Sequence, residues 1–246
     1  MMNASTEIRP AATLILARPA VESFELMMLK RTTKAAFASG MYVFPGGKID
    51  ASDSDPALAP YVSEPRDHQR AQIAALGEAW LGAYVAAIRE TFEEAGILLA
   101  KHADGSWVTL PAKTIAETRQ SLHQGELSMI DLCQAYDARL SIDELNFYNR
   151  WTTPPGRPRR FDTRFFVGQA PPMALGIEDG EETTDAVWIT PAKALEEHQA
   201  GRFDLMSVTV KQLSAVAEYE NLEALKTALS DQDTFPHYRP PDYLPS

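Results

Sequence analysis

Arg89-Glu90-Thr91-Phe92-Glu93-Glu94-Ala95-Gly96-Ile97 is the stretch that decides how this chain is read. At about 100° per residue, Glu90, Glu93 and Glu94 fall within one sector of a helix. Like charges at that spacing repel one another. Carboxylates near a helix C-terminus also oppose the macrodipole. Such a face is not placed for stability, and hard divalent cations are its natural counterpart. On the far side of the same projection stand Leu81, Tyr84, Val85, Ile88, Phe92 and Ala95, a core-facing stripe. Ala83, Ala86 and Ala87 border the carboxylates and leave room for a ligand or a neighbouring loop. Gly96 is placed to cap the helix. A solvated acidic face is the ordinary explanation of a glutamate cluster. Against it, the set R-E-x-x-E-E-x-G arises by chance at roughly one in a million positions.

The rest of the chain bounds the setting. Its 246 residues suit one large domain, or a domain with a sizeable insertion. Apolar runs do not approach the length needed to span a bilayer. Asn3, Ser5, Thr6, Glu7 and Arg9 lack a basic-then-apolar signal pattern. A single cysteine, Cys133, excludes an internal disulfide, fits a reducing cytoplasm and reads as a small core residue. The net charge of −11 argues against broad nucleic-acid or membrane-surface binding. A polyphosphate substrate would then need a cation and local arginines. Arg150, Arg157, Arg159, Arg160 and Arg164 crowd one short stretch, either as such a cluster or as a solvated surface.

Apolar runs at 13–17 and 24–29 read as two strands, closed by Lys30 and Arg31. Residues 41–44 read as a strand ending in a flexible Pro45-Gly46-Gly47 loop. Residues 51–66 look like an excursion, 67–96 are helical, and 112–145 form a helical insertion with a capping box at Ser141-Ile142-Asp143-Glu144. Strand signals return at 147–152, 163–169 and 185–190, with helices after Pro191 and over 204–230. On the 160–165 strand, alternation puts Arg160, Asp162 and Arg164 on one face and Phe161, Thr163 and Phe165 on the other. The first face would hold a phosphate or form a structural ion-pair ladder. Arg31 is a further phosphate candidate.

A Gly-rich turn lets backbone groups approach a ligand closely. Joined to the glutamate helix, Phe44-Pro45-Gly46-Gly47 resembles the signature of the Nudix hydrolase family. That signature is Gly, five residues, Glu, seven residues, then Arg-Glu-hydrophobic-x-Glu-Glu-x-Gly-hydrophobic. Gly47 fits its start, and Arg89, Glu90, Glu93, Glu94, Gly96 and Ile97 fit its end. Asp53 stands where Glu is usual, Thr91 where an aliphatic residue is usual, and thirty-five residues replace seven, a split of twenty-eight. Such a split resembles the branch that includes the mammalian peroxisomal coenzyme A diphosphatase. Tyr42-Val43-Phe44-Pro45-Gly46-Gly47, Arg160-Phe161-Asp162-Thr163-Arg164-Phe165-Phe166 and Trp188-Ile189-Thr190-Pro191 resemble that branch too. The chain ends Tyr-Leu-Pro-Ser, without a clear peroxisomal signal, so a cytoplasmic relative is expected.

The resemblance implies an α/β fold, a Nudix-type α/β/α sandwich with a mixed β-sheet and added helices. One domain is expected over 8–235, with insertions at about 54–80 and 111–145 that wall the pocket, and an irregular tail at 236–246. It implies hydrolysis of a diphosphate bridge in a nucleoside-diphosphate-linked small molecule, coenzyme A or an acyl-CoA being favoured. Glu90, Glu93, Glu94 and the Gly47 carbonyl would bind Mg²⁺ or Mn²⁺. Glu90 and Glu93 carry the catalytic assignment, with Arg89 bracing the glutamates and lowering their pKa. Among Glu178, Asp179, Glu181 and Glu182 on a mobile acidic loop, Glu182 is the chosen general base. Arg31, Arg160 and Arg164 are the substrate-binding choices. Family resemblance also allows a homodimer. Two rivals stand beside this reading: a diphosphatase for nucleotide sugars, ADP-ribose or dinucleotides, and a Nudix-fold module that binds a nucleotide without cleaving it.

Overall fold

Alternating burial along the first strands builds the centre of the molecule. The structure, a computed structural model, describes residues 7–240 apart from 22, 36 and 173. In chain order come β1 (Ile8–Pro19), β2 (Phe24–Arg31), β3 (Tyr42–Val43) and β4 (Gly46–Lys48). Next are α1 (Gln69–Leu76), α2 (Trp80–Ala95), β5 (Ala100–His102), α3 (Ala112–His123), α4 (Met129–Ala135) and β6 (Ala138–Leu140). The chain continues through β7 (Leu145–Thr152), β8 (Arg160–Gln169) and β9 (Thr183–Ile189). It closes with α5 (Pro191–Gln199), α6 (Ser207–Val216), α7 (Leu222–Ser230) and β10 (His237–Tyr238).

Leu14, Leu16, Met27, Leu29 and Phe166 enter one core with the α2 stripe. Ile15, Leu26, Met28, Phe165 and Val167 enter a second core with Leu213, Val216, Leu225 and Leu229. A period of two with both faces buried requires a sheet covered on both sides. The expected α/β/α sandwich is therefore present, with a mixed eight-stranded sheet in the order β10-β7-β8-β1-β2-β3. β4 pairs with β1, and β9 pairs with β2, outside that path.

The sheet forks along β1. This strand runs parallel to β8 over its length but meets β2 only through Ala17–Pro19. Over Ala11–Thr13 its partner is instead antiparallel β4. Residues 46–47 are thus part of a strand and not a flexible loop. Glycine makes this pairing reachable: a Cβ on Gly46 would lie 2.5 Å from the Ala12 carbonyl oxygen, and its φ is +156°.

The excursion at 51–66 is packed. It forms 3₁₀ turns at Ala51–Ser54 and Pro56–Tyr61 and buries Leu58. Within 112–145, β6 pairs with β5, a strand of three residues that is too short to register in the pattern. The capping box at Ser141 does not form. The Asp143 carboxylate accepts instead from Ser63 Oγ, and Glu144 takes Arg66 and Lys101. The box forms at Ser128 and Asp131, opening α4. Cys133 is a buried core residue, its thiol pushed up to about 12 by burial.

The tail is partly regular: β10 pairs with Arg150 and Trp151, and Tyr238 stacks on Trp151 at 4.3 Å. Residues 241–246 of the tail, and Asn3, Ser5 and Thr6 of the signal reading, lie outside the described residues. By length and composition alone Gln69–Ala95 would suffice to cross a membrane, but its second half, α2, is the core helix, with thirteen buried residues.

Candidate active site

The stripe on α2 fixes its rotation, so the Arg89-Glu90-x-x-Glu93-Glu94 face must meet whatever fills the fork. Arg89 is 8% exposed and uses every donor of its guanidinium. Nε and Nη2 donate to Asp53 Oδ1 and Oδ2 at 2.8 and 2.9 Å. Nη1 donates to Glu90 Oε1 at 2.9 Å and Glu93 Oε2 at 3.1 Å. Nη2 also donates to the Lys48 carbonyl at 2.9 Å. Asp53, 1% exposed, accepts in addition from the Asp50 N–H at 2.8 Å. Arg89 is therefore a brace whose anchor is Asp53, reached across the long gap.

Gly47 and Gly46 meet the carboxylates from the other side. A Cβ on Gly47 would fall 2.5 Å from Glu90 Oε1, so only glycine lets the strand lie against that carboxylate. The Gly46 N–H donates to Glu94 Oε2 at 2.9 Å. Arg31, at the end of β2, lies 3.6 Å from Glu94 and 3.4 Å from Glu182.

Arg89 does not lower the glutamates overall. Burial pushes Glu90 up to about 7, against the pull of Arg89 and with the help of Glu93. Burial likewise raises Glu93. Glu94 goes well above the usual carboxylate range through burial and then the charge of Glu90. Arg89, shared with Asp53, offsets that burial only in part. Hard oxygen donors held short of cationic charge fit a divalent cation in chemistry. Among the described residues no three such side chains converge on one point. Glu90 and Glu93 are turned onto Arg89, and Glu94 onto Gly46.

The C-terminal end of α2 has a complete set of partners. Gly96, at φ +67°, donates to Phe92 O. Arg119 of α3 donates through Nε to Glu93 O at 2.7 Å and through Nη2 to Glu94 O at 2.9 Å. The Ile177 N–H donates to Ala95 O at 2.8 Å, and Arg119 Nη1 returns to Ile177 O at 2.9 Å. A guanidinium on these carbonyls offsets the charge placement that the sequence made look unfavourable. Sequence reasoning missed Arg119, because one arginine in an amphipathic helix carries no signal of its target.

The same contacts anchor the start of the acidic loop at 176–182. Asp179 Oδ1 accepts from the N–H groups of Glu181, Glu182 and Thr183. Asp179 is thus the organiser of the loop, and the Glu182 side chain is left half exposed at the cleft. The cleft, about 1660 Å³, takes in Arg31, Arg89, the three glutamates, Gly46 and Gly47. Leu58 of the first insertion and Leu122 and Met129 of the second line it as well, as expected of walls.

Arg160 and Arg164 do not line this cleft, although both were expected to bind substrate. Arg164 pairs with Asp162 at 3.2 Å, Arg150 pairs with the same carboxylate, and Arg160 donates to Thr153 O. Burial opposes ionisation of Asp162, but the two arginines hold its carboxyl below the usual range. This is the ion-pair ladder, and the opposite face, Phe161, Thr163 and Phe165, meets the cleft.

Residues 2–214 match the NUDT19 Nudix domain family. The chain belongs to the Nudix family. A Nudix hydrolase from Alicyclobacillus acidocaldarius superposes with a TM-score of 0.80 at 28% identity, covering 93% of this chain and all of that one. Acyl-coenzyme A diphosphatase NUDT19 of Gallus gallus is 28% identical over 85% of this chain and 65% of its own length. The Homo sapiens protein of that name is also 28% identical, over 84% and 64%. The chain thus spans just under two thirds of these relatives. Within the Nudix pattern, Asp53, which stands where Glu is usual, still meets Arg89 across the lengthened gap.

Proposed function

We propose that this protein hydrolyses the diphosphate bridge of a nucleoside-diphosphate-linked substrate, coenzyme A or an acyl-CoA being favoured, with Mg²⁺ or Mn²⁺. One observation carries the reading: β4 inserts Gly46 and Gly47 through the forked sheet onto Glu94 and Glu90, at the wall of a large cleft. The names of the chicken and human relatives support the choice of substrate.

A bound divalent cation supplies charge neutralisation on the bridge oxygens and acidifies water. Glu90, Glu93, Glu94 and the Gly47 carbonyl would hold it. Arg89 does not reach substrate, because all its donors are engaged; it fixes the rotamers of Glu90 and Glu93. Arg31 has only long contacts to Glu94 and Glu182, so a phosphate oxygen can displace Glu182 from it. Glu182, once released and at the cleft, is placed to take a proton from the attacking water.

The test is hydrolysis of coenzyme A, acyl-CoA, nucleotide sugars, ADP-ribose and dinucleotides with each metal and with EDTA. Release of phosphopantetheine from CoA is expected; its absence while another substrate is cleaved would move the assignment to that substrate. Gly47→Ala is expected to push the Glu90 carboxylate aside and lower turnover by about a hundredfold. The φ of Gly47 lies outside the left-handed region, so circular dichroism should show the fold retained.

A pH dependence follows from the raised carboxyls. A buried acid whose pKa is raised stabilises the fold below its unfolded value, near 4.5, and loses that contribution as pH rises through its folded value. For Glu90 the window ends at about 7. In EDTA the melting temperature should therefore fall from pH 5.5 to pH 8. Mn²⁺ should raise it more at pH 8 than at pH 5.5, since at the lower pH it must displace protons.

A further inference from the structure

We infer that the first turn of α6, with the hydroxyls of Thr209 and Thr163, is a second oxyanion site in the cleft, one that takes a compact anion such as phosphate without a metal. It is separate from the carboxylate set and does not rest on the hydrolysis proposed there.

The helix opens on the cleft without a cap. Leu205, Met206, Ser207, Val208 and Thr209 line that wall. Met206 stands at the N-cap and makes no side-chain bond to the turn that follows. The first closed bond of the helix runs from the Val210 N–H to Met206 O at 3.0 Å. Among the described residues, no acceptor meets the N–H groups of Ser207, Val208 or Thr209. Three such donors at the positive end of a helix dipole suit an anion.

A buried hydroxyl calls for the same ligand. Thr209 is 4% exposed, yet among the described residues its Oγ1 has no hydrogen-bond partner. Side chains of a helix lean toward its N-terminus, so from the third position that of Thr209 leans back over the open turn. An enclosed hydroxyl is costly when left unpaired. The space that Thr209 borders is the cleft.

Packing holds the turn in place. Asn149 and Gln212, both buried, exchange amide bonds at 3.0 and 2.8 Å and fix α6 on the sheet. Asn149 in turn pairs with Phe165 on β8. One turn back from Gln212 is Thr209. Two residues back from Phe165 is Thr163, on the same face of its strand and also at the cleft. On the other side of the turn, the Tyr42 N–H donates to Asp204 O at 2.8 Å, and Leu205 bridges Tyr42. α6 packs on the opposite face of the sheet from α2. Its donors therefore reach the cleft from the side away from the glutamates.

The experiment titrates inorganic phosphate into the full chain in EDTA by calorimetry. A dissociation constant of about 1 mM is expected. Thr209→Val should weaken it about tenfold. Ser207→Pro removes one N–H where proline suits a helix, after an extended Met206 at φ −73° and ψ 152°. It should weaken binding too, whereas Ser207→Ala keeps the N–H and should not. Met206→Asn supplies the missing cap, so it should raise the melting temperature and abolish phosphate binding together. Absence of binding by the wild type would overturn the inference. So would binding that these changes leave untouched, or that only Arg31→Met removes. Coenzyme A titrated in EDTA tells the source of the anion. If its affinity falls in step with that of phosphate in Thr209→Val and Met206→Asn, the substrate brings the oxyanion; if it is unchanged, the site holds free phosphate. Neither readout needs turnover, so the site and the proposed hydrolysis can fail independently.

Discussion

Glu93→Gln and Glu94→Gln should each reduce diphosphate hydrolysis by about a thousandfold or more, with the fold intact. Each change removes one anionic oxygen donor from a set of three and keeps the shape of the side chain. The Glu94 amide oxygen can still accept from the Gly46 N–H. Stability should move in the opposite direction. Burial and neighbouring negative charge raise Glu94, so its ionised form costs folding free energy near pH 8. Glu94→Gln in EDTA should therefore melt no lower, and at pH 8 higher, than the wild type. Turnover that survived both substitutions would exclude the carboxylate set as the metal site. A melting temperature well below that of the wild type would show that the cluster holds the fold together and is not held by it.

Asp53→Asn is expected to cost about 3 kcal/mol of stability, near the figure for breaking one side of a buried ion pair. For a chain of this length that is a fall of roughly 8 °C in melting temperature. The amide has one acceptor oxygen for the two donors that Arg89 now gives to Asp53. Turnover should fall as well, because a loosened Arg89 no longer sets Glu90 and Glu93. A double-mutant cycle with Arg89→Met separates this from a general loss of packing. Coupling of about 2 kcal/mol is expected, and additive effects would sink the brace.

Local pattern made one half of this site legible and left the other hidden. The stripe Leu81, Tyr84, Val85, Ile88, Phe92, Ala95 is fully in the core, which fixed the direction of the glutamates before any partner was known. Strand alternation also separated Phe161, Thr163 and Phe165 from Arg160, Asp162 and Arg164 correctly. It could not say which face meets the cleft, since that depends on Arg150 arriving from the neighbouring strand. Arg119 escaped for the same reason, and Asp53, though placed in the split signature, was given no partner. Their contacts to Arg89 and to the carbonyls of Glu93 and Glu94 join positions far apart in sequence, and periodicity reports only neighbours. The glycines of β4 read as a loop because pairing by backbone alone leaves no side-chain pattern. Ser141 illustrates the converse: an apparent capping signal was overridden by tertiary partners for Asp143 and Glu144.

The Asp53–Arg89 contact also closes a ring of chain. Thirty-five residues leave and return at one buried clasp, and the catalytic geometry is set at the clasp itself. The entropy of closing such a ring grows only with the logarithm of its length, about 0.6 kcal/mol for each doubling. Residues between Asp53 and the start of α2 can thus be added or removed at small closure cost without moving a glutamate. The forked sheet and the clasp together work as an expansion joint: the chemistry stays fixed, while the length spliced between its halves is free to reshape the wall that a substrate meets.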